Sequence, residues 1–470
     1  MKELPHEIKS LKALVRELLA EVAQLKVENA ELKEENAELR RRLGLNSSNS
    51  HKPPSSDGLA KQRSALKPGL PKDKVKEKGG QKGHKGNTLK QVAEPEHVVL
   101  HVAKRCACCG RDFSAEARAK ASVVEKRQVF DLPPARLAVT EHQLGTLRCC
   151  GVEQRGAFPA SVAASVQYGA GVKALVTMLA VDYRLPLERI SRLFSDLYGY
   201  ELNSRTILAN LERGYERLAP TEAKIKSQLL ARGVVHFDET GLRTQGKLHW
   251  LHTASSQDYT HLFVHEKRGT EALNSADSVL KDFNGVAVHD CWSSYFRFSH
   301  CRHALCGAHL LRELKALVEQ GSSWAALMHR YLLDLYKRTL PLAASEAELW
   351  LGRYQALLAQ AEQEEPPPRQ GKRGRPKLSP GRALLTRLSK YQQAVLAFAC
   401  EPDVPFTNNQ AERDIRPAKV KLKICGTFRT LTGAKHYARI QAVISTLRKQ
   451  NRNVFASLQD LFALKAPLLL

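Results

Sequence analysis

Acidic residues are the scarce class in this chain: 48 Asp and Glu stand against 73 Lys and Arg over 470 residues, a formal charge of +25. Such a deficit of negative charge points to a polyanionic partner, with nucleic acid first. Long apolar runs are missing as well. No stretch reaches the ~18 residues of a membrane span. The opening MKELPHEIKS lacks the apolar core of a secretory signal. Membrane, secreted and collagen-like classes are thereby set aside, and a cytosolic location is expected. What remains is ordinary globular material, 43% apolar and 26% charged, enough for roughly three or four domains at about 100–200 residues each. Ten cysteines include a close group at Cys106, Cys108, Cys109, Cys149 and Cys150. In a reducing compartment that grouping reads as metal before disulfide.

From Ile8 the apolar positions step by three and four. One series is Ile8, Val15, Val22, Asn29, Asn36 and Leu43; the other is Leu11, Leu18, Leu25, Leu32 and Leu39. A 3.5-residue period with β-branched residues at a and Leu at d predicts a parallel two-stranded coiled coil over 1–45. An Asn at an a position pairs with its twin and penalises other registers. The pattern stops at Gly44, and NSSNSHKPPSSDG opens a linker over 46–96, since Pro, Ser, Gly and Asn neither hold a helix nor build a core. Residues 51–90 carry eleven Lys/Arg against three Asp/Glu. That surplus suits a disordered arm that follows phosphates, or more simply a solubilising tether.

Segment 97–160 is expected to bind zinc. Cys106-x-x-Cys109 followed by Gly110 is a knuckle spacing, and Cys149 and Cys150 offer a second pair about forty residues later. Adjacent cysteines are awkward ligands for one tetrahedral ion, so Cys108 and His142 remain open as the fourth. Between the pairs, VVEKRQVFDLP and ARLAVTEHQLG alternate as strands would. Residues 161–230 are helical in pattern, with LPLERISRLFSDLYG ending at Gly199 and ELNSRTILANLERGYERL following. Asn203 or Ser204 can cap the second helix, which places Arg205, Thr206 and Asn210 on its early turns. Two short helices around a Gly-containing turn have the form of a helix-turn-helix reader of the major groove, a form that any two helices of a bundle share.

After 230 the period changes. GVVHFDET reads as a short buried strand ending in Asp238, KLHWLHTAS and THLFVHEK as two further strands, and GVAVHDCWSSY as a fourth that ends in Asp290. Two acids at the ends of apolar strands are costly to bury together unless a cation neutralises them. Mg²⁺ (or Mn²⁺), a hard ion that takes oxygen ligands and keeps waters for a substrate phosphate, is the expected one. TNNQAERDIRP supplies a third carboxylate, Glu412, and Asn409 three residues before it has the spacing of a capping box. Residues 413–452 then hold eleven Lys/Arg and one acid, with Arg413 and Arg416 as the first phosphate-binding candidates.

At these residues the chain resembles the DDE transposases of bacterial insertion sequences, the insertion-sequence-66 family. NSSNSHKPPSSDG, GGQKGHKG, LPLERI, HFDET, VAVHD, CGAHLLREL, VPFTNNQAERDIRP and KICGTFRT all look like that family's blocks, nearly end to end. The resemblance implies a multidomain α+β protein: coiled coil, small zinc-binding β domain, helix-turn-helix, and an RNase H-like α/β catalytic core (231–309 and 401–470). A helical insertion at 310–400, interrupted by the basic loop 366–380, splits that core. The resemblance puts Asp238, Asp290 and Glu412 on the catalytic triad. Cys306-x-x-His309 falls where many DDE enzymes carry such an element, with its role open. GKRGRPK, with Arg373 and Arg375, resembles a minor-groove AT-hook, though a plain basic loop would read the same. The second cysteine pair departs from the family, which separates its two cysteines. The implied activity is metal-dependent cleavage and strand transfer of element ends. Its partners are double-stranded DNA, a second copy of the chain and accessory proteins of the same element, at the bacterial nucleoid. The rival is a dimeric zinc-containing DNA-binding regulator without catalysis.

Overall fold

The structure, a computed structural model, describes residues 4–46, 49–50, 89–368 and 378–465. Two compact units divide the chain, one of residues 1–63, 142–195 and 201–470, the other of 64–141 and 196–200.

In the larger unit the apolar heptads form one uninterrupted helix, α1 (Leu4–Gly44). Its described seam residues Val15, Leu18, Val22, Leu25, Leu32 and Leu39 are all exposed. The expected linker is partly anchored. Asn49 is buried, and its amide donates to Glu319 at 2.6 Å.

The smaller unit is built of turns. Cys106 and Arg111 close a tight loop, Ser114 caps the one-turn helix α2 (Ala115–Ala119), and Gln128 exchanges two hydrogen bonds with the backbone of Val92 at 2.8 Å. The alternating segments between 123 and 145 form no strand, contrary to expectation. Pro133 and Pro134 remove two ladder donors there. Val124, Val129 and Leu132 stand at least 90% exposed, so among the described residues no second layer covers the apolar face. The strands of this region lie further on, in the larger unit: β1 (Thr146–Cys149) and β2 (Val152–Arg155), an antiparallel hairpin.

Helices α3 (Ala170–Val181), α4 (Leu187–Tyr198), α5 (Ser204–Arg217) and α6 (Ala219–Leu230) follow, and then a five-stranded sheet. Its members are β3 (Val234–Thr244), β4 (Lys247–Ser255), β5 (Thr260–His265), β6 (Val286–His289) and β7 (Arg302–Leu305), in the order β5-β4-β3-β6-β7. The first three form an antiparallel meander, while β6 and β7 run parallel to β3. The short helix α7 (Thr270–Leu273) lies in the crossover from β5 to β6. After β7 come α8 (Gly307–Val318), α9 (Ser323–Tyr336), α10 (Ala344–Glu364), α11 (Pro380–Lys390) and α12 (Gln392–Cys400), helices in succession. Their core is continuous with the sheet: Val288, Leu305, Leu314, Trp324, Tyr354 and Phe398 belong to one buried cluster. The chain returns as α13 (Asn409–Cys425), α14 (Leu431–Lys449) and α15 (Val454–Phe462). Helix α13 packs on β3 and β4, α14 on β5, and α15 on α3.

Candidate metal and nucleic-acid site

Asp238 does not end its strand. Strand β3 runs on to Thr244, with Asp238 opposite Thr253 of β4. What ends is the parallel pairing with β6, whose last partners are His236 and Val288. Asp238 and Asp290 thus both lie two residues past that pair, where the strands part. Asp290 is followed by a turn through Cys291, whose φ of 76° is left-handed, and its carboxylate accepts from Trp292 N at 3.2 Å. A non-glycine residue held in that region marks local strain of the kind that gathers at functional sites.

Glu412 is carried by α13, which packs on β3 and β4. The helix begins at Asn409 with Asn408 as its cap, and no side-chain capping bond forms. The capping-box expectation is therefore corrected: Asn409 is the first helical residue rather than the cap, and the side chain of Asn408, which takes that place, is committed elsewhere. Its amide donates to Phe237 O at 2.7 Å and its oxygen lies 2.9 Å from His236 Nδ1. Its own N–H donates to Cys306 Sγ at 3.1 Å. One buried residue thus ties the helix bearing Glu412 to the strand residues just before Asp238. Close packing fixes the same approach from α8: Gly307 N donates to Phe406 O at 2.8 Å, and any Cβ on Gly307 would lie 2.3 Å from the Phe406 ring. Two residues beyond Glu412, Asp414 accepts from Lys449 at 2.6 Å and from Thr260 and Gln410 at 3.1 Å, and binds Ser255 as well. Lys449 also donates to Ser256 O and Tyr259 O. This buried ion pair locks α13 and α14 onto the β4–β5 hairpin.

The acids act on one another. Burial pushes Asp238 well above the usual carboxylate range, and the charges of Glu239, Asp290 and Glu412 push the same way. Glu239, absent from the sequence expectations, is a fourth carboxylate, buried and raised first by burial and then by Asp290. It is already committed, accepting from Tyr295 OH and from Arg268 Nε at 2.9 Å. The Arg268 guanidinium lies between the Trp250 and Trp292 rings, 4.8 and 4.1 Å from their centroids. An acid next to Asp238 on a strand with buried neighbours was the available signal. Glu412 Oε1 is buried without a hydrogen-bond partner, with His309 Nε2 at 3.8 Å. Repelling, part-stripped carboxylates with an unsatisfied oxygen fit a divalent cation of the Mg²⁺ class, which takes oxygen ligands.

Each cysteine pair has its own geometry. At the knuckle, Gly110 N donates to Cys106 O at 3.0 Å. The N–H groups of Cys109 and then Cys108 hold the Cys106 thiol below the usual range. At the hairpin, Cys150 and Gly151 have φ of 52° and 77°, a two-residue turn that suits tight antiparallel strands. That turn sets Cys149 Sγ and Cys150 Sγ 3.6 Å apart. Two sulfurs on a tetrahedral zinc with Zn–S of ~2.3 Å stand roughly 3.8 Å apart, so the left-handed Cys150 removes the geometric objection to adjacent ligands. Cys108 and His142 remain exposed.

Of the residues expected at DNA, Arg205 and Thr206 are exposed on α5, and Asn203 caps that helix by accepting from Arg205 N at 2.8 Å. Asn210 is corrected: it is buried, and its amide donates to Lys173 O and Thr177 Oγ1, so it faces α3 rather than a groove. The helix is packed on α3, α14 and α15. Arg413 and Arg416 are exposed on α13. Arg373 and Arg375 lie outside the described residues. No described helix is long and apolar enough to cross a membrane.

Comparison with known families bears on all of this. Residues 103–151 match the zinc-finger binding domain of transposase IS66. Residues 2–90 match a family of unknown function, DUF6444. No curated protein matches the chain. Residues 165–436 match the Transposase IS66 family, a span that runs from α3 into the start of α14 and includes Asp238, Asp290 and Glu412. With more than half of its length inside that match, the chain belongs to the IS66 family of transposases.

Proposed function

We propose that the protein binds the terminal inverted repeats of its element and carries out Mg²⁺-dependent DNA cleavage and strand transfer, with Asp238, Asp290 and Glu412 as metal ligands. The observation that carries this reading is geometric: Asp238 and Asp290 both lie two residues past the last parallel pair of β3 and β6, and α13, which bears Glu412, packs on β3 and β4. The strand order, an antiparallel meander continued by two parallel strands, supports an RNase H-like core. Magnesium or manganese held there supplies activation of water and then of a 3′-hydroxyl, together with stabilisation of the leaving oxygen.

The chain's own residues do the rest. Asn408 and the Asp414–Lys449 pair hold Glu412 at fixed depth. Arg413 and Arg416, one turn apart on the exposed side of α13, bind the phosphate backbone next to the acids. Arg205 and Thr206 contact the element end from α5, and Arg373 and Arg375 add minor-groove contacts. The seam of α1 pairs two copies as a parallel coiled coil, so that two ends are held together. Zinc shapes segment 97–160 through Cys106 and Cys109 and through the Cys149–Cys150 turn. The protein works at the nucleoid, with accessory proteins of its element as further partners.

The test is incubation of the purified protein with a labelled terminal fragment, target plasmid and Mg²⁺. Metal-dependent 3′-end cutting followed by a joined product is expected. Specific binding with no cutting in Mg²⁺ or Mn²⁺ would make the protein a DNA-binding regulator and overturn the proposal.

A further inference from the structure

Glu412 has neighbours of a different chemical character on its other side. Cys306, the cap residue of α8, and His309, one turn into that helix, converge on it. Ligand atoms of Cys306, His309 and Glu412 all lie within 4.8 Å of one another, the only such group of three among the described residues. Cys306 is 1% exposed, and the His309 and Glu412 side chains are 15% and 29% exposed, with Glu412 Oε1 itself buried. The separation of His309 Nε2 from Glu412 Oε1, 3.8 Å, is close to the roughly 3.3–3.8 Å between ligands of a tetrahedral ion with bonds of ~2.0–2.3 Å. Side-chain movement of about 1 Å closes the remaining gap to the sulfur.

From this geometry we infer a second metal site, of the zinc class, formed by Cys306, His309 and Glu412, which competes with magnesium for Glu412. The inference rests on the reading of Glu412 as a magnesium ligand. Thiolate, imidazole and carboxylate together select Zn²⁺ or Co²⁺ over Mg²⁺, which prefers all-oxygen shells. Three protein ligands leave one position for water, as in open zinc sites.

The sulfur is prepared for this. It accepts the N–H of Asn408 at 3.1 Å, and the N–H groups of His309 and Ala308 also point at it. Burial pushes the thiol up, against those three donors. A metal ion bound there holds the sulfur as thiolate, so uptake releases a proton to solvent. Zinc there draws Glu412 Oε1 toward α8 and away from Asp238 and Asp290, so that it turns DNA cutting down without touching DNA binding.

The experiment uses the full chain, already carrying the zinc of its finger, titrated with Co²⁺ in magnesium-free buffer. One further equivalent is expected, with a thiolate-to-cobalt absorption band. Cys306→Ser should lose that band and that equivalent, His309→Asn should weaken uptake by roughly 10–100-fold or more, and Asp238→Asn should keep both. In cutting assays, Zn²⁺ should raise the Mg²⁺ concentration needed for half-maximal rate in the parent but not in Cys306→Ser. No uptake beyond the finger's metal, or equal uptake by the parent and by both Cys306→Ser and His309→Asn, overturns the site. An unchanged magnesium requirement overturns the competition. A chain that takes up cobalt as expected yet never cuts DNA keeps the site and removes the transposase chemistry instead.

Discussion

The acids and the thiols of this protein are placed by opposite means. Asp238, Asp290 and Glu412 come from three distant parts of the chain and are held by a sheet, a helix and buried side chains that would stand without any ion. Cys106 and Cys109, and Cys149 and Cys150, are local pairs held by turns, amid apolar side chains that remain exposed. A scaffold rich in core can concentrate like charge and tolerate the cost. A scaffold poor in core cannot hold a shape by burial, and the metal must supply folding energy itself. On the proposed reading, metal is a reagent for the first site and a structural member for the second.

The comparison breaks most visibly in activity. Asp238→Asn, Asp290→Asn or Glu412→Gln should each cut cleavage by about 10³-fold or more, since metal assistance is worth several kcal/mol, while binding of the terminal fragment persists. If Asp238→Asn cuts as fast as the parent, the acid site is misplaced. The same variant should also be more stable than the parent in metal-free buffer. The raised folded-state pKa of Asp238 makes its contribution full below the ordinary carboxylate pKa and lost as pH rises through the raised value. The parent's Tm should fall over that range relative to Asp238→Asn, and added Mg²⁺ should restore it.

Next in size is the lock beneath Glu412. Lys449→Met leaves Asp414 buried and unpaired, at a cost of about 3–5 kcal/mol read by denaturant unfolding. A change under ~1 kcal/mol would mean that the pair does not set α13. Chelation should separate the two regions directly. EDTA or Cys106→Ser should loosen 97–160, read as faster proteolysis there, and leave the melting of the sheet and insertion unchanged. Equal protection with and without zinc would put the thiols on the same footing as the acids. Asn408→Ala should cost about 1–3 kcal/mol, because His236 Nδ1 and Phe237 O lose their partner. It should also raise the magnesium requirement, which a purely stabilising residue would not do. The smallest effect belongs to Arg413→Ala and Arg416→Ala: each should lower the salt dependence of DNA binding by roughly one phosphate contact, with metal affinity intact.

The acids were legible because an apolar run that stops at a carboxylate has few structural uses. Asp238 and Asp290 stood out on that ground, even though Asp238 proved to lie mid-strand. Glu239 was hidden by its neighbour, since a pattern of alternate faces assigns one of two adjacent acids to solvent. Here Tyr295 and Arg268, 56 and 29 positions away, keep it inside. Asn408 was hidden by its address. The capping-box spacing pointed to Asn409, one residue on, and only the tertiary fold reveals that the Asn408 amide serves a strand. Asn210 erred the other way, since helical spacing gives a face but not which neighbour covers it. The extended segments between 123 and 145 alternate like strands, yet alternation specifies a sheet only where a partner exists to pair with.

The 122 positions between Asp290 and Glu412 also order events in time. A ribosome delivers α1, the cysteine pairs and two of the acids first, and needs on the order of ten seconds to add the stretch that ends at Lys449 at roughly 5–20 residues per second. Until then the nascent chain lacks the helix that bears Glu412 and the lysine that anchors it. If the proposed cutting activity is real, the chain is harmless to its own chromosome through most of its synthesis.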